Sequence, residues 1–344
     1  MNLSTYYLGL QLRNPLVASA SPLNDDLGNL RALEDAGAAA VVLPSMFAEQ
    51  IEEEDLRHEA LANVGAFSSP EVTSYFPDQI YNSSASNRYL ELIRSARKAI
   101  AIPVIASLNA AHEEGWTQYA AQVEDAGASA IELNIYFIAS DLTQTAGEVE
   151  KRYVDIVRAV KQRVSIPVSV KLSPCFSSPG HLALELVSAG ADGLVLFNRF
   201  YQPDIDVVRL RVLNDLDLSQ SREMRLPLLW LAVMHGRVAA SLAASTGVHT
   251  AGDAVKYLLA GADVVMTTSA LLQHGIGYMR HLVDGLNDWF DQREIASMTD
   301  IRGLLSQGRI GNPEEYERAN YIKILQGYSP LQHREAVHDL TAKT

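Results

Sequence analysis

A lysine closes an apolar, β-branched run, Ile166-Pro167-Val168-Ser169-Val170-Lys171-Leu172-Ser173-Pro174. Side chains alternate across a strand, so Val168, Val170 and Leu172 share one face and Ser169 and Lys171 the other. A cation at the C-terminal end of a buried strand, just ahead of a Ser-Pro turn, stands where parallel α/β proteins bind their ligands. An ammonium group there can steady negative charge that develops on a ligand, or attack a carbonyl to form a Schiff base. The same alternation brings other polar groups to neighbouring strand ends. Ser107 and Asn109 share a face of one strand, Glu132 and Asn134 share a face of another, and Asn198 closes a third. Buried amides and hydroxyls need partners, which a ligand rich in amide and imide edges supplies. A second group has the composition of a phosphate cradle: Ser245-Thr246-Gly247-Val248 and Thr267-Thr268-Ser269-Ala270. Hydroxyls and backbone N–H groups after the last two strands of a barrel commonly hold phosphate; ordinary Ser/Thr helix caps have the same composition.

The elements that must position these groups come from a weak internal repeat. Asp35-Ala36-Gly37-Ala38-Ala39-Ala40-Val41-Val42-Leu43 is echoed from Asp125, Ser188 and Leu259. Each copy ends an amphipathic helix on a glycine, which accepts the left-handed conformation, and passes at once into a short apolar strand. Strands opening on proline lie between them, at Asn14-Pro15, Ile102-Pro103 and Ile166-Pro167; proline is tolerated at a strand's first residue. The pattern predicts strands near 16–20, 40–44, 103–108, 130–135, 167–172, 193–198, 241–246 and 263–267. Helical patterns run over 27–36, 87–99, 115–126, 147–164, 181–189 and 251–260. Eight alternating βα units fit a TIM (β/α)8 barrel over residues 1–275, with a doubly wound sheet as the alternative. No strand reads as an edge, which favours closure. Residues 48–86 break the alternation as a long insertion, expected to cover the active site. Residues 276–344 are expected to form a helical extension without a core of its own.

Composition narrows the partners. The chain has 344 residues, 48% hydrophobic and 20% charged, in the range of globular proteins. Its formal net charge of −13 argues against nucleic acid or an anionic membrane as the main partner. Cys175 is the single cysteine, so neither an internal disulfide nor a cysteine-built metal site can form within the chain. The nine histidines show no His-Glu-x-x-His spacing. The first residues have neither a basic start nor an apolar stretch of signal-peptide type, and the longest apolar run, Leu226 to Met234, is too short to span a bilayer. A soluble cytoplasmic protein is expected.

Taken together, Asn14-Pro15 with Ala18-Ser19-Ala20, Ser107, Glu132-Leu133-Asn134, Val170-Lys171-Leu172-Ser173-Pro174, Asn198, and Gly247 through Ala262 resemble the dihydroorotate dehydrogenase family. Its class 1 enzymes and the related dihydropyrimidine dehydrogenase barrel bind FMN. The resemblance covers most of residues 1–275. It implies that Lys171 sits by N1 and the C2 carbonyl of the flavin and stabilises the anionic reduced ring. It further implies that Ala18, Ser19, Ser107 and Asn134 line the flavin, that Asn109, Asn134 and Asn198 reach a pyrimidine-like substrate, and that Gly247, Thr268 and Ser269 hold the phosphate. Hydride then passes between a dihydropyrimidine-like substrate, dihydroorotate first, and flavin, in a homo-oligomer with or without an electron-transfer partner protein.

The departures from the family are specific. Its motif Asn-Leu-Ser-Cys-Pro-Asn, whose cysteine is the base, reads Asn134-Ile135-Tyr136-Phe137-Ile138-Ala139 here. Phenylalanine cannot accept a proton, so Tyr136, Ser140 and Asp141 become the candidate substitutes. The family's lysine after the second strand is Pro44, its Gly-Gly pair is Thr246-Gly247, and the glycine before the last Thr/Ser is Thr268. Two other readings follow: a non-catalytic flavin-binding subunit, motivated by Phe137, and a Schiff-base lyase using Lys171.

Overall fold

The computed structural model describes residues 1–47, 85–109, 113–136, 138–199, 202–213 and 217–317. The expected insertion at 48–86, apart from its last two residues, lies outside them, as do Phe137 and the chain beyond 317.

The repeat seen in the sequence is a repeated turn. At each copy the residue after the glycine returns its N–H to the helix: Ala38 to Leu33, Ala128 to Val123, Ala191 to Leu186 and Ala262 to Tyr257, all at 3.0–3.1 Å. That bond defines a Schellman stop, and it needs a left-handed residue; Gly37 and Gly261 supply it at φ 106° and 121°. Each stop aims the chain straight into a strand.

The elements, in order, are β1 (Thr5–Tyr7), β2 (Leu10–Leu12), β3 (Leu16–Ala18), α1 (Leu27–Asp35), β4 (Ala40–Phe47), α2 (Ala85–Ala99), β5 (Val104–Asn109), α3 (Glu113–Asp125) and β6 (Ala130–Leu133). They continue with α4 (Ala146–Arg163), β7 (Val168–Leu172), α5 (Pro179–Ser188), β8 (Gly193–Leu196), β9 (Asp204–Asp206), β10 (Arg211–Leu213) and α6 (Arg225–Met234). The last are β11 (Ser241–Ala244), α7 (Ala251–Ala260), β12 (Val264–Thr267), α8 (Ser269–His274), α9 (Tyr278–Asp291) and α10 (Met298–Ile301). Strands β3, β4, β5, β6, β7, β8, β11 and β12 close in that order into a parallel barrel, β12 pairing with β3. The fold is a TIM barrel, as the eight alternating units predict. Even the strand of weakest propensity, Ser241–Ala244, pairs on both sides; the buried carboxylate of Asp263 accepts its Leu242 N–H at 2.7 Å.

Alternation sorts the side chains into two cores. Val168, Val170 and Leu172 of β7 pack outward under the helices with Ile131, Leu133, Leu194 and Leu196. Val17, Ala40, Val42, Ile105, Ala130, Val195, Ala243, Val264 and Met266 point inward and fill the barrel. The N-terminal hairpin of β1 and β2 adds Tyr7, Leu8 and Leu12 to that inner core. It is fastened below the barrel by Leu8 N–H to Ser241 Oγ (3.0 Å) and Thr5 Oγ1 to the Asp263 carbonyl (2.9 Å). With this hairpin as a floor, the polar end of the interior is the C-terminal mouth. On the outside, α9 buries Leu282, Leu286 and Phe290 in the outer core.

Candidate active site

Lys171 is 9% exposed on the inner face of β7. Its Nζ lies 3.4 Å from Ser19 Oγ, at the end of β3, and 3.5 Å from Glu132 Oε1 on β6. The register pairs Glu132 with Ser169, so Lys171, two residues further along, reaches it diagonally. Glu132 is 1% exposed and its second oxygen, Oε2, has no hydrogen-bond partner. Below it, burial pushes the Tyr7 phenol well above its ordinary pKa, helped by the charges of Glu132 and Asp263. Glu132 and Lys171 are thus a buried, oppositely charged pair held between an apolar floor and the mouth.

A hydrogen-bonded arc runs beside the pair. Asn198 Nδ2 donates to Asn134 Oδ1 (2.6 Å), Asn134 Nδ2 donates to Ser45 Oγ (3.1 Å), and Ser45 and Ser107 share a hydroxyl bond of 2.8 Å. Four strands or strand ends meet in it. Ser45 reaches the inside because the β4–β5 register shifts between Val42 and Ser45. Pro44 stands in that shift: proline lacks the N–H a central strand needs and is accommodated at a bulge. The substitution of the family's lysine by Pro44 therefore coincides with a hydroxyl being turned inward. Tyr89 from α2 fixes Ser107 from behind, donating to its carbonyl (3.1 Å) and accepting its N–H (2.9 Å). Asn109 is buried two residues further along β5.

A cleft of about 260 Å³ opens at the mouth, and Ser19, Lys171, Asn198, Gly247, Thr268 and Ser269 all line it. Those six residues, chosen from sequence, share one cavity. Ala18 does not face it: its methyl packs in the outer core, and Ser19 and Ala20 line the cleft instead. Tyr136 is half-buried in the loop after β6, while Ser140 is exposed. Asp141 is exposed too, and its Oδ1 accepts the backbone N–H (2.9 Å) and hydroxyl (2.7 Å) of Thr143. Those bonds, the backbone one first, hold its carboxyl below the usual range, which makes it a weaker base.

Ser219 is a residue the sequence reasoning missed. Its Oγ accepts the Gly247 N–H at 3.1 Å and bonds the Ser269 hydroxyl at 2.8 Å, joining the two halves of the cradle. It lies in an irregular stretch with no periodic signal, so nothing in the sequence marks it. The cradle has the shape a phosphate-bearing cofactor requires. Gly247 has φ 74°, and a Cβ there would stand 2.9 Å from the Gln220 carbonyl oxygen. Thr246, where the family has glycine, keeps a glycine-like φ of 78°. That conformation is uncommon for a β-branched residue. Its carbonyl is held by the Tyr257 hydroxyl at 2.7 Å. Strain of this kind concentrates at ligand clamps. Hydroxyl and backbone donors from Gly247, Thr268 and Ser269 share the cleft with two cations, Lys171 and Arg199, a donor set that fits a phosphate joined to an electron-accepting ring. Among the described residues no cluster of three or more His, Cys, Asp or Glu could hold a metal ion, and no helix is long and apolar enough to cross a membrane.

Fold and cleft together define a (β/α)8 barrel with its ligand site at the C-terminal mouth. A family model described as dihydroorotate dehydrogenase matches residues 81–290, and the chain belongs to that family. The family consists of oxidoreductases acting on CH–CH bonds, with FMN as a family property. The chain is 27% identical to dihydroorotate dehydrogenase B (NAD(+)), catalytic subunit, of Thermoplasma acidophilum, over 88% of this chain and 98% of that one. It is 33% identical to a putative dihydroorotate dehydrogenase A (fumarate) of Aeropyrum pernix, over 59% and 67% respectively. It is also similar to the NAD-dependent dihydropyrimidine dehydrogenase subunit PreA of Escherichia coli, at 23% identity over 93% and 80%. This membership leaves the Schiff-base reading of Lys171 without support.

Proposed function

We propose that the chain is an FMN-dependent oxidoreductase that moves hydride between a dihydropyrimidine-like substrate and flavin, with dihydroorotate the first candidate. The observation that carries the reading is Lys171, a cation nine-tenths buried at the end of β7, in one cleft with Gly247, Thr268 and Ser269. Bound there, FMN would supply the hydride acceptor. Gly247, Thr268, Ser269 and Ser219 would hold its phosphate, with Lys171 and Ser19 at the ring end. Lys171 presents a fixed positive charge to whatever negative charge develops beside it, and does so in a site where little water screens it. Glu132 keeps that ammonium from folding outward. Asn198 and Asn134, oriented by Ser45, offer amide edges to a pyrimidine-like ring. The Thermoplasma and E. coli relatives are named as subunits, which supports an electron-transfer partner protein for this chain.

Proton removal is where the chain parts from its family. Phe137 stands in sequence at the family's cysteine, and Tyr136 and Ser140 remain as candidates for the proton-handling role. Asp141, committed to Thr143, is the weaker one. Phe137 also sustains the alternative of a flavin-binding subunit without CH–CH chemistry of its own. Anaerobic rapid mixing of the FMN-loaded protein with dihydroorotate, dihydrouracil and dihydrothymine separates the two. Bleaching of the flavin by one of them at a catalytic rate supports the enzyme. Flavin that stays oxidised with all three, yet accepts electrons from a reductase, supports the subunit.

A further inference from the structure

Glu132 and Lys171 stand at different depths. Lys171 lines the cleft, with Nζ 3.4 Å from the Ser19 hydroxyl. Glu132 pairs in register with Ser169, two residues earlier on β7, and so lies one layer further down. It is 1% exposed, and among the described residues the Lys171 ammonium is its one cationic partner, at 3.5 Å from Oε1. Close charged pairs stand at about 2.7–2.9 Å, so this ammonium is held loosely between the carboxylate and the cleft. Oε2 has no hydrogen-bond partner. Nothing else around Glu132 can compensate its charge. Its register neighbours, Ser107 on β5 and Ser169 on β7, are neutral hydroxyls. The Tyr7 phenol below and the Tyr89 phenol behind β5 are both pushed up, chiefly by burial, and the charge of Glu132 adds to it. Asp263 also acts on Tyr7, so it brings a second negative charge, and it is paired with Arg302.

We propose that Glu132 is a proton acceptor linked to the redox state of the ligand: when negative charge appears at the ring end of the cleft, Lys171 turns its charge toward it and Glu132 takes up a proton. The inference rests on the flavin reading above and adds to it the fate of the counter-charge. One ammonium cannot compensate two anions at once. The inner anion is the one with no water and no other donor, and a buried carboxylate left without a partner neutralises itself by binding a proton. The step forms one O–H bond on Glu132 and breaks none in the protein. The proton comes from solvent at the mouth, and Lys171 remains an ammonium. Oε2, which accepts from no donor, is the atom open to receive it. One negative charge arrives at the ligand and one is removed from Glu132, so the buried layer keeps its total charge. Reduction is then tied to an extra proton, and the reduced state gains more from a fall in pH than the oxidised state does.

Two measurements test this, one with flavin and one without. The first is the midpoint potential of bound FMN against pH, with the reduced-minus-oxidised infrared spectrum of the same samples. Over part of the range from about pH 6 to 9 the wild-type potential should fall more steeply than that of Glu132→Gln, by about tenfold in the two-electron equilibrium per pH unit, or about 30 mV. The wild-type difference spectrum should gain the carbonyl band of a protonated carboxyl on reduction, and Glu132→Gln should not. The second uses flavin-free Lys171→Met, in which the ammonium is gone permanently. It should show that carboxyl band at neutral pH, while wild type and Lys171→Met/Glu132→Gln should not. Equal slopes in wild type and Glu132→Gln, a wild-type spectrum without the band, or a Lys171→Met protein without it would each overturn the proposal and leave the flavin reading standing. A wild-type protein that takes up no FMN would overturn both.

Discussion

Replacing Lys171 by methionine should destabilise the barrel itself, apart from any effect on ligand. The side chain loses its charge but keeps much of its volume, and the Glu132 carboxylate is stranded. Glu132 is 1% exposed, Lys171 is its salt-bridge partner at 3.5 Å, and Oε2 has no hydrogen bond. At an effective dielectric of about 20 the attraction across that distance is about 5 kcal/mol, before the cost of desolvating both groups is set against it. Breaking a buried pair from one side typically costs about 3–5 kcal/mol because the remaining charge is uncompensated. At about 2 °C per kcal/mol for a domain of this size, Lys171→Met should lower Tm by roughly 6–10 °C. Glu132→Gln should cost less, about 1–2 kcal/mol, since Lys171 keeps Ser19 and the open cleft. The double variant Lys171→Met/Glu132→Gln should recover much of the loss, giving a coupling in the range of about 0.5–3 kcal/mol seen for contacting residues. The assay is urea and thermal unfolding of flavin-free protein, so that lost ligand stabilisation does not enter. If Lys171→Met unfolds with wild-type stability, or the two single effects simply add, Glu132 and Lys171 are not the coupled pair described.

Three further outcomes follow from the cradle and the helix layer. Gly247→Ala should lose about 1–2 kcal/mol of stability from the positive φ alone, plus the displacement of the Gln220 carbonyl; Thr246→Gly should be neutral or stabilising by up to about 1 kcal/mol, both read by urea unfolding. Ser219→Ala leaves the buried Gly247 N–H unpaired, about 1–3 kcal/mol, and should weaken FMN more than riboflavin in fluorescence titrations, since only FMN carries the phosphate. His235 is held below its ordinary pKa of 6.5, chiefly by burial, with Nδ1 at 3.1 Å from the Gly261 carbonyl. The folded state therefore favours the neutral ring, so its contribution is present above pH ~6.5 and lost as pH falls through the depressed value; acid unfolding should be steeper in wild type than in His235→Gln.

The barrel was legible because its signals are local and repeated: a glycine stop, then a short apolar strand, four times over, with strands that open on proline between them. The inward face of Lys171 followed from alternation alone, and the structure keeps Val168, Val170 and Leu172 on the opposite side. What the sequence hid depends on closure or on unusual turn chemistry. The floor hairpin turns on Leu8 and Gly9, with φ 53° and 73°; a leucine in a turn of that kind masks the usual Asn-Gly signal. Ser45 lay beyond the expected end of its strand, and only the bulge at Pro44 turns it inward. The Glu132–Lys171 pair joins residues 39 apart and exists only once β6 and β7 are neighbours. Helix α6 read merely as an apolar run, since no polar face gave it a period. Hairpin β9–β10 went unread because it carries its apolar residues on the outside, against the rule by which strands are recognised.

On the proposed function, the Lys171 ammonium steadies negative charge on a reduced flavin bound in this cleft. The most direct measurement is the midpoint potential of protein-bound FMN in wild type and Lys171→Met, with uptake of FMN followed by absorbance in the same samples. Wild type should bind FMN in one-to-one ratio, and the potential should fall in Lys171→Met by about 30 mV or more, a tenfold loss in the two-electron reduction equilibrium. A wild-type protein that takes up no FMN, or a potential the substitution leaves unmoved, would contradict it.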